Sequence, residues 1–316
     1  MSPKISVVMS AYNSADLIGR AITSILNQSF TDFELIILND GSTDETEVNV
    51  QSFTDERIRY FRLDHAGLPS ALNYGVSKAR ADLVARHDSD DWSDPERLER
   101  QYQRLNADEG LALVASWHNV TDADGTLLGL KTTAEDDKSL KRMLTRRSPF
   151  CHGAVLMRKS ALDQVGGYNE GMLYSQDYDL WLRMAAANLR FACIPSALYN
   201  YSISPESIAK GWYKLGTAEA IRTNALRHNN SESFAAAVIP PIGKRRTQAL
   251  WHYALGSLAL ENGKQGRAIA SFMKSLINDP IFGHAYVKLG ISTLPAFIAS
   301  RVFSRVREQR ESGKQA

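Results

Sequence analysis

An α/β fold with a mostly parallel, Rossmann-like sheet flanked by helices, followed by an α-helical C-terminal region, is predicted by three features of this 316-residue chain. Short apolar runs alternate with segments of helical spacing through roughly the first two-thirds, the pattern of βαβ units. Three of those runs end in turns rich in Asp, Asn, Gly and Ser, which a doubly wound sheet gathers at one edge. Beyond about Lys210 the patterning becomes continuously helical, dividing the chain into residues 1–210 and 211–316.

Ile5-Ser6-Val7-Val8-Met9 reads as a buried strand, left through the turn Ala11-Tyr12-Asn13-Ser14. Asp16 to Gln28 then carries Leu17, Ala21, Ile22, Ile25 and Leu26 at helical spacing. Glu34 to Leu38 is a second buried strand, ending in Asn39-Asp40-Gly41-Ser42-Thr43-Asp44, a turn and helix cap combined. A short strand at Ile58 to Arg62, a helix from Ser70 to Ala79 and the strand Leu83-Val84-Ala85 follow. Asp88-Ser89-Asp90-Asp91 closes that strand, and a helix opens at Pro95, with Asp94-Pro95 as cap and first residue.

Leu111 to Ala115 is strand-like, and Val120 to Leu130 reads as a hairpin around Asp124-Gly125. A helix after Gln176 places Leu180, Trp181 and Met184 on one side, and strand-like pieces follow at Phe191 to Ile194 and Leu198 to Ile203. In the helical remainder, Leu255-Gly256, Ala259, Ala268, Phe272 and Pro280 match one tetratricopeptide unit in register. One unit cannot bury its own face, so a helical hairpin packed on neighbouring helices is expected. The tail sets Leu294, Phe297, Ile298, Val302, Phe303 and Val306 among Arg301, Arg305, Arg307 and Arg310. That basic amphipathic pattern suits either docking on an anionic membrane surface or a packed terminal helix.

Hydrophobic residues at 44% and charged residues at 23% are ordinary globular values, and a formal charge of +2 makes no case for nucleic acid. Cys151 and Cys193 are the only cysteines, which excludes a disulfide framework or a cysteine zinc site and points to a reducing compartment. The polar start Met1-Ser2-Pro3-Lys4 and its short apolar run do not suit a signal peptide, and no apolar stretch reaches spanning length. A cytoplasmic protein is expected, with peripheral contact on the inner face of the cell membrane as an option.

The acidic cluster is the chemical centre of the sequence. Hard oxygen donors this close together suit Mg²⁺ or Mn²⁺, which take few carboxylates and keep positions for substrate phosphates. A solvated acidic turn at a helix start is the plainer alternative. A calcium loop beginning at Asp88 is excluded, because Trp92 and Ser93 stand where an oxygen ligand and Gly are required. No Gly-x-Gly-x-x-Gly follows the first strand and no Gly-Lys-Ser/Thr loop occurs, against dinucleotide and P-loop sites.

Taken in order, Ser6 to Asn13, Asn39 to Asp44, Ala71-Leu72-Asn73, Arg86 to Asp91, Pro95 to Gln101, Gly166-Gly167-Tyr168 and Gln176 to Arg183 resemble family 2 glycosyltransferases. These are inverting enzymes of the GT-A fold that use nucleotide sugars, and the chain resembles their bacterial members. The resemblance implies that Ala11 and Tyr12 line the base pocket, that Asp40 holds the base edge and that Asp88 holds ribose and diphosphate. Asn13, Gly41, Asn73 and Ser89 complete the implied donor site. Asp90 with Asp91 would hold the metal. Asp177 matches the general base that takes the proton of the acceptor hydroxyl, a role whose plain alternative is a helix cap. His152 and Trp181 are candidate acceptor contacts, Trp181 as a platform or as a core tryptophan. The implied partners are a nucleotide-sugar donor, with a UDP-sugar leading, and a glycan or lipid-linked acceptor of surface polysaccharide synthesis.

Two positions depart from the family pattern. Gln176 stands where Glu is usual, leaving Asp177 without a negative neighbour to raise its pKa. Ser202 and Ser204 stand where Arg and His are frequent, which removes one metal or diphosphate ligand and leaves Lys210 or the tail to compensate. A catalytically silent nucleotide-sugar-binding protein and a helical interaction module are the competing readings.

Overall fold

The computed structural model describes residues 2–172, 174–205, 207, 244–280 and 282–292. Lys210 and the amphipathic tail from Leu294 onward lie outside the described residues. Two compact units emerge: the chain up to Asn119 with Lys131–Ser202, and Val120–Leu130 with the described residues from Ile203 on.

The first unit begins β1 (Ile5–Ala11), α1 (Ala15–Leu26), β2 (Phe33–Asn39), α2 (Thr46–Gln51), β3 (Ile58–Arg62), α3 (Leu68–Lys78) and β4 (Leu83–Asp88). It continues with β5 (Trp92–Ser93), α4 (Arg97–Asn106) and β6 (Leu111–Thr121); the chain turns back at Asp122 to Thr126 into β7 (Leu127–Lys131), which belongs up to Leu130 to the second unit. Then come α5 (Asp137–Leu144), a 3-10 turn (His152–Ala154), β8 (Val155–Arg158), α6 (Lys159–Gln164), α7 (Gln176–Ala186) and β9 (Arg190–Ser202).

Strands β1 and β2 are buried at every position, as expected of parallel strands covered on both faces. Alternate side chains feed two cores. Val8, Ile36, Leu38 and Val84 pack with Leu72 of α3, Leu140 and Leu144 of α5, and Leu180, Trp181 and Met184 of α7. Val7, Met9, Leu35 and Ile37 pack with Ile18, Ile22 and Ile25 of α1 and Leu98 and Leu105 of α4.

The sheet order is β3-β2-β1-β4-β8-β6-β9-β5. It is parallel over β3, β2, β1 and β4, whereas β8 runs antiparallel to β4 and β6, and β5 antiparallel to β9. The expected mostly parallel sheet is therefore a mixed one. Alternating strands and helices give parallel pairs only while each helix returns the chain to the same end, and past β4 it enters from the other. Two strand boundaries also change. The expected hairpin start at Val120 lies inside β6, and the two pieces around Pro195 are one strand, β9.

Arg97, fully buried, ties α4 to the sheet. Its guanidinium donates to Gln101 Oε1, Ser93 Oγ and the carbonyls of Arg86 and Val155. A buried guanidinium so completely satisfied rigidifies the strand that leads to Asp88.

In the second unit α8 (Lys244–Glu261) and α9 (Gln265–Asn278) are joined by a three-residue link and α10 (Gly283–Ser292) follows. Gly256 lies against the ring of Phe272, where a Cβ would sit 2.7 Å from Cε1, and Ala259, Ala268 and Phe272 share the buried seam. No helix among the described residues is long and apolar enough to cross a membrane.

Candidate active site

Parallel register brings the three polar strand ends level: Ala11 pairs with Asn39, and Ser10 with Asp88. Side chains then lock the turns together. Asn13, left-handed at φ 49°, donates its N–H to Ser42 Oγ (3.0 Å) and accepts from the Thr43 N–H through Oδ1 (2.9 Å). The hydroxyls of Ser14 and Ser89 lie 2.8 Å apart, joining the first turn to the acidic one.

At the β1 and β2 end, Tyr12 is 48% exposed and stacks on His65 with ring centroids 4.3 Å apart. Asp40 is buried. Its two carboxylate oxygens accept the N–H groups of Ala66 (2.9 Å) and Gly67 (3.0 Å), and His65 Nδ1 lies 3.1 Å from Oδ2. Asp40 thereby shapes the loop that carries His65. Gly41 has φ +75°, and a Cβ there would press on His65 at 3.1 Å. Ala11 is buried among the α1 contacts and offers the site its main chain, its carbonyl accepting the Asp40 N–H.

At the β4 end, Arg86 Nη2 donates to Asp88 Oδ1 at 2.6 Å, and the Asp88 N–H donates to the hydroxyl of Tyr199 at 3.1 Å. Gly153 makes room for this pair, since a Cβ on it would fall on the Tyr199 hydroxyl and 2.8 Å from Asp88 Oδ2. Asp90 is solvent-exposed as a residue, yet desolvation of its carboxyl and the charge of Asp88 push it up to about 6. Asp91 is fully buried. Burial, with Asp90 and Asp88 beside it, holds its carboxyl well above the usual range. Asp91 Oδ1 accepts the Ser202 N–H at 2.7 Å, and Oδ2 has no hydrogen-bond partner among the described residues. An orphaned buried carboxylate oxygen beside two like charges is the situation a divalent cation relieves, and oxygen donors suit Mg²⁺ or Mn²⁺. Among the described residues no three His, Cys, Asp or Glu side chains gather where together they could hold a metal ion. Ser204 and Ser207 hydrogen-bond each other.

Beyond Asp88 lies the N-terminus of α7. Asp177 is half-buried, and burial, reinforced by Asp88 and opposed by Arg86, pushes its carboxyl up to about 6. The neutral Gln176 does not leave Asp177 unperturbed after all, because desolvation does what an adjacent charge would have done. Asp179 is buried and ion-paired to Arg183 at 2.8 Å. Trp181 is 0% exposed, packed edge-on to Phe150, so it is a core tryptophan and not an open platform. His152 Nε2 lies 2.9 Å from the Tyr168 hydroxyl, and burial together with Arg86 holds the imidazole neutral. Asn73 grips Tyr168, Oδ1 accepting its N–H (2.8 Å) and Nδ2 donating to its carbonyl (2.9 Å).

Asp40, Asp88, Asp90 and Asp91 thus stand along one sheet edge, with Asp177 within electrostatic reach of Asp88. Asn13, Ser89 and Asn73 serve the framework of that edge. Arg86, Tyr168, Tyr199 and Gly153 received no role from the sequence, although Arg86 and Tyr168 lie inside quoted motifs. Nothing short of the fold brings Tyr199 and Gly153 to Asp88.

The family model for glycosyl transferase family 2 matches residues 6–166. An O-antigen biosynthesis glycosyltransferase, WbnJ of Escherichia coli, is 33% identical over 211 residues, covering 65% of this chain and 82% of that protein. The hyaluronan synthase of Pasteurella multocida is 27% identical over 240 residues, 73% of this chain and 24% of that one. Among solved structures, S. aureus TarS 1–349 in complex with UDP is similar at a TM-score of 0.54 and 17% identity, covering 90% of this chain and 91% of that one. The mannosyltransferase PcManGT from Pyrobaculum calidifontis, in complex with GDP-Man and Mn²⁺, is similar at 0.57 and 15% identity, covering 96% and 87%. At those identities the likeness is one of fold, the GT-A fold.

Proposed function

Because this chain belongs to glycosyl transferase family 2, we propose that it transfers a sugar, with inversion, from a nucleotide-sugar donor to a glycan or lipid-linked acceptor in bacterial surface polysaccharide synthesis. The observation that carries this reading is the locked polar edge, which aligns an exposed aromatic, a carboxylate cluster and a second carboxyl raised to about 6.

Tyr12, with Asp40 behind it, receives the nucleobase, and Ala11 backs that pocket through its main chain. Asp88, held by Arg86, faces the ribose and diphosphate. Asp90 and Asp91 are the residues that would hold Mn²⁺ or Mg²⁺. When bound, the ion neutralises charge developing on the diphosphate. Asp177 takes the proton of the acceptor hydroxyl while that oxygen forms its bond to the anomeric carbon. The bond from that carbon to the diphosphate breaks with its electron pair, so charge and atoms balance. A UDP-sugar remains the leading donor; similar folds hold UDP in one case and GDP-Man in another.

Residues 1–210 carry this chemistry in our reading, and 211–316 serve acceptor access or docking on an anionic membrane surface. The two cysteines, Cys151 and Cys193, are both free, in keeping with a reducing, cytoplasmic setting. A thermal-shift screen of nucleotide sugars with and without Mn²⁺, followed by assay of nucleoside diphosphate release, tests the whole. Metal-dependent stabilisation by one nucleotide class supports it; no stabilisation by any donor overturns it.

A further inference from the structure

His152, half-buried in the 3-10 turn ahead of β8, has one ring nitrogen engaged among the described residues. Nε2 lies 2.9 Å from the hydroxyl of Tyr168. Tyr168 is 3% exposed, and His152 is the one hydrogen-bond partner of its hydroxyl among the described residues. A buried hydroxyl proton left unpaired is costly, so Tyr168 donates and Nε2 accepts. Burial also pushes the phenol well above its usual range, which keeps that proton on the oxygen. A neutral imidazole that accepts at Nε2 carries its own proton on Nδ1.

The ring is fixed in place. It meets Tyr168 edge-on with centroids 5.5 Å apart and Trp181 with centroids 6.2 Å apart. Tyr168 is clamped by both ends of the Asn73 amide, and Gly167 before it, at φ +69°, admits Asn73 where a Cβ would stand 2.7 Å from Oδ1. Trp181 follows Asp177 by four residues on α7 and therefore lies on the same helix face. The charge of Asp177 also reaches the Tyr168 phenol. The imidazole consequently stands over the face of α7 that carries Asp177.

Resting on the assignment of Asp177 as base, we propose that His152 grips the acceptor's sugar hydroxyl through Nδ1–H, with Tyr168 as the positioning residue that fixes this tautomer. A hydroxyl oxygen has one proton and two lone pairs. Asp177 takes the proton, His152 occupies one lone pair, and the other attacks the anomeric carbon as the bond to the diphosphate breaks. An amine offers a single lone pair, which a donor at Nδ1 would engage in place of attack. The site is thereby selective for oxygen acceptors.

The tautomer is read directly by NMR on the ¹⁵N-labelled full chain at neutral pH, with the signal of His152 among the seven histidines identified by its loss in His152→Asn. The expected pattern is protonation at Nδ1 in the wild type, relaxing toward Nε2 protonation in Tyr168→Phe. An Nε2-protonated ring in the wild type, or no change in Tyr168→Phe, overturns the proposal. Nucleoside diphosphate release with methyl glycosides as acceptors gives a second readout. His152→Asn, whose amide N–H falls near the place of Nδ1, keeps acceptor kcat/KM within a few-fold. His152→Gln lowers it about ten-fold or more with donor KM unchanged. Equal losses in both variants, or none in either, overturn the proposal. A wild type that transfers nothing from any donor counts against Asp177 as base, and the tautomer still decides the role of Tyr168.

Discussion

Nη2 of Arg183 lies 2.8 Å from Oδ2 of Asp179, one turn along the helix that also carries Asp177. The two carboxylates of that first turn are thereby set in different surroundings. Asp179 is closed on a cation inside the protein, whereas Asp177 has no ion pair among the described residues. Asp177→Asn should cut turnover by about a hundred- to ten-thousand-fold while donor affinity stays near wild type. Asp179→Asn should leave turnover per folded molecule intact and cost about 1–3 kcal/mol of stability, since Arg183 loses its partner. Steady-state kinetics beside denaturant unfolding checks both, and the reverse assignment would move the base to Asp179.

The pH profile should carry the signature of the same group. Asp177 must be ionised to accept a proton, and its carboxyl is pushed up to about 6. Turnover should accordingly fall as pH drops through about 6, a limb absent from Asp177→Asn. The stability effect has the opposite sense. Because the folded pKa is raised, the native state holds a proton that the unfolded chain has already lost between about 4 and 6. Raising the pH through that window weakens the fold, and Asp177→Asn should remove this group's share of the loss.

Metal removal should separate Asp90 from the framework residues. Calorimetry of nucleoside diphosphate binding should show stronger affinity with Mn²⁺ in the wild type, with that gain gone in Asp90→Asn. Asp91→Asn should also lose the gain. Without metal it should melt a few degrees above wild type, because the native state no longer has to hold a buried carboxyl whose ionisation is opposed by burial and by Asp90 and Asp88. Equal wild-type affinity with and without Mn²⁺ would contradict the metal reading.

The strands leading to the site were legible because β1 and β2, buried on both faces, leave unbroken apolar runs. The α5 helix escaped notice because only Leu140 and Leu144 are buried in a charged segment, although Asp136 caps it through the Ser139 N–H. Strand β8 is four residues long and follows a polar turn, too short for periodicity to register. The acidic cluster was visible as composition. What sets its members, and Asp177, apart was not: Arg86 on Asp88, Ser202 on Asp91 and burial around Asp177 are tertiary facts.

The segment from Leu294 onward should decide membrane association. A chain ending at Thr293 should bind nucleotide as the full chain does but lose co-sedimentation with anionic vesicles. Failure of the full chain to bind such vesicles at low salt would overturn the basic amphipathic reading of the tail.

Gly153 gives the last test, because its side chain would have to occupy space already filled by chemistry. The glycine belongs to the 3-10 turn that also carries His152, and its Cα faces the junction of Tyr199 and Asp88. An added Cβ would collide with the Tyr199 hydroxyl and stand 2.8 Å from Asp88 Oδ2. Tyr199 cannot retreat easily: it is fully buried, with the Arg97 guanidinium 5.0 Å above its ring. Asp88 is the softer neighbour, held by Arg86 and partly exposed. Gly153→Ala should therefore displace the Asp88 carboxylate and weaken nucleoside diphosphate binding about ten-fold or more, with overpacking adding about 1–3 kcal/mol of destabilisation. Binding calorimetry on the folded fraction checks it. Wild-type affinity in that variant would mean that the position of Asp88 is not what holds the donor.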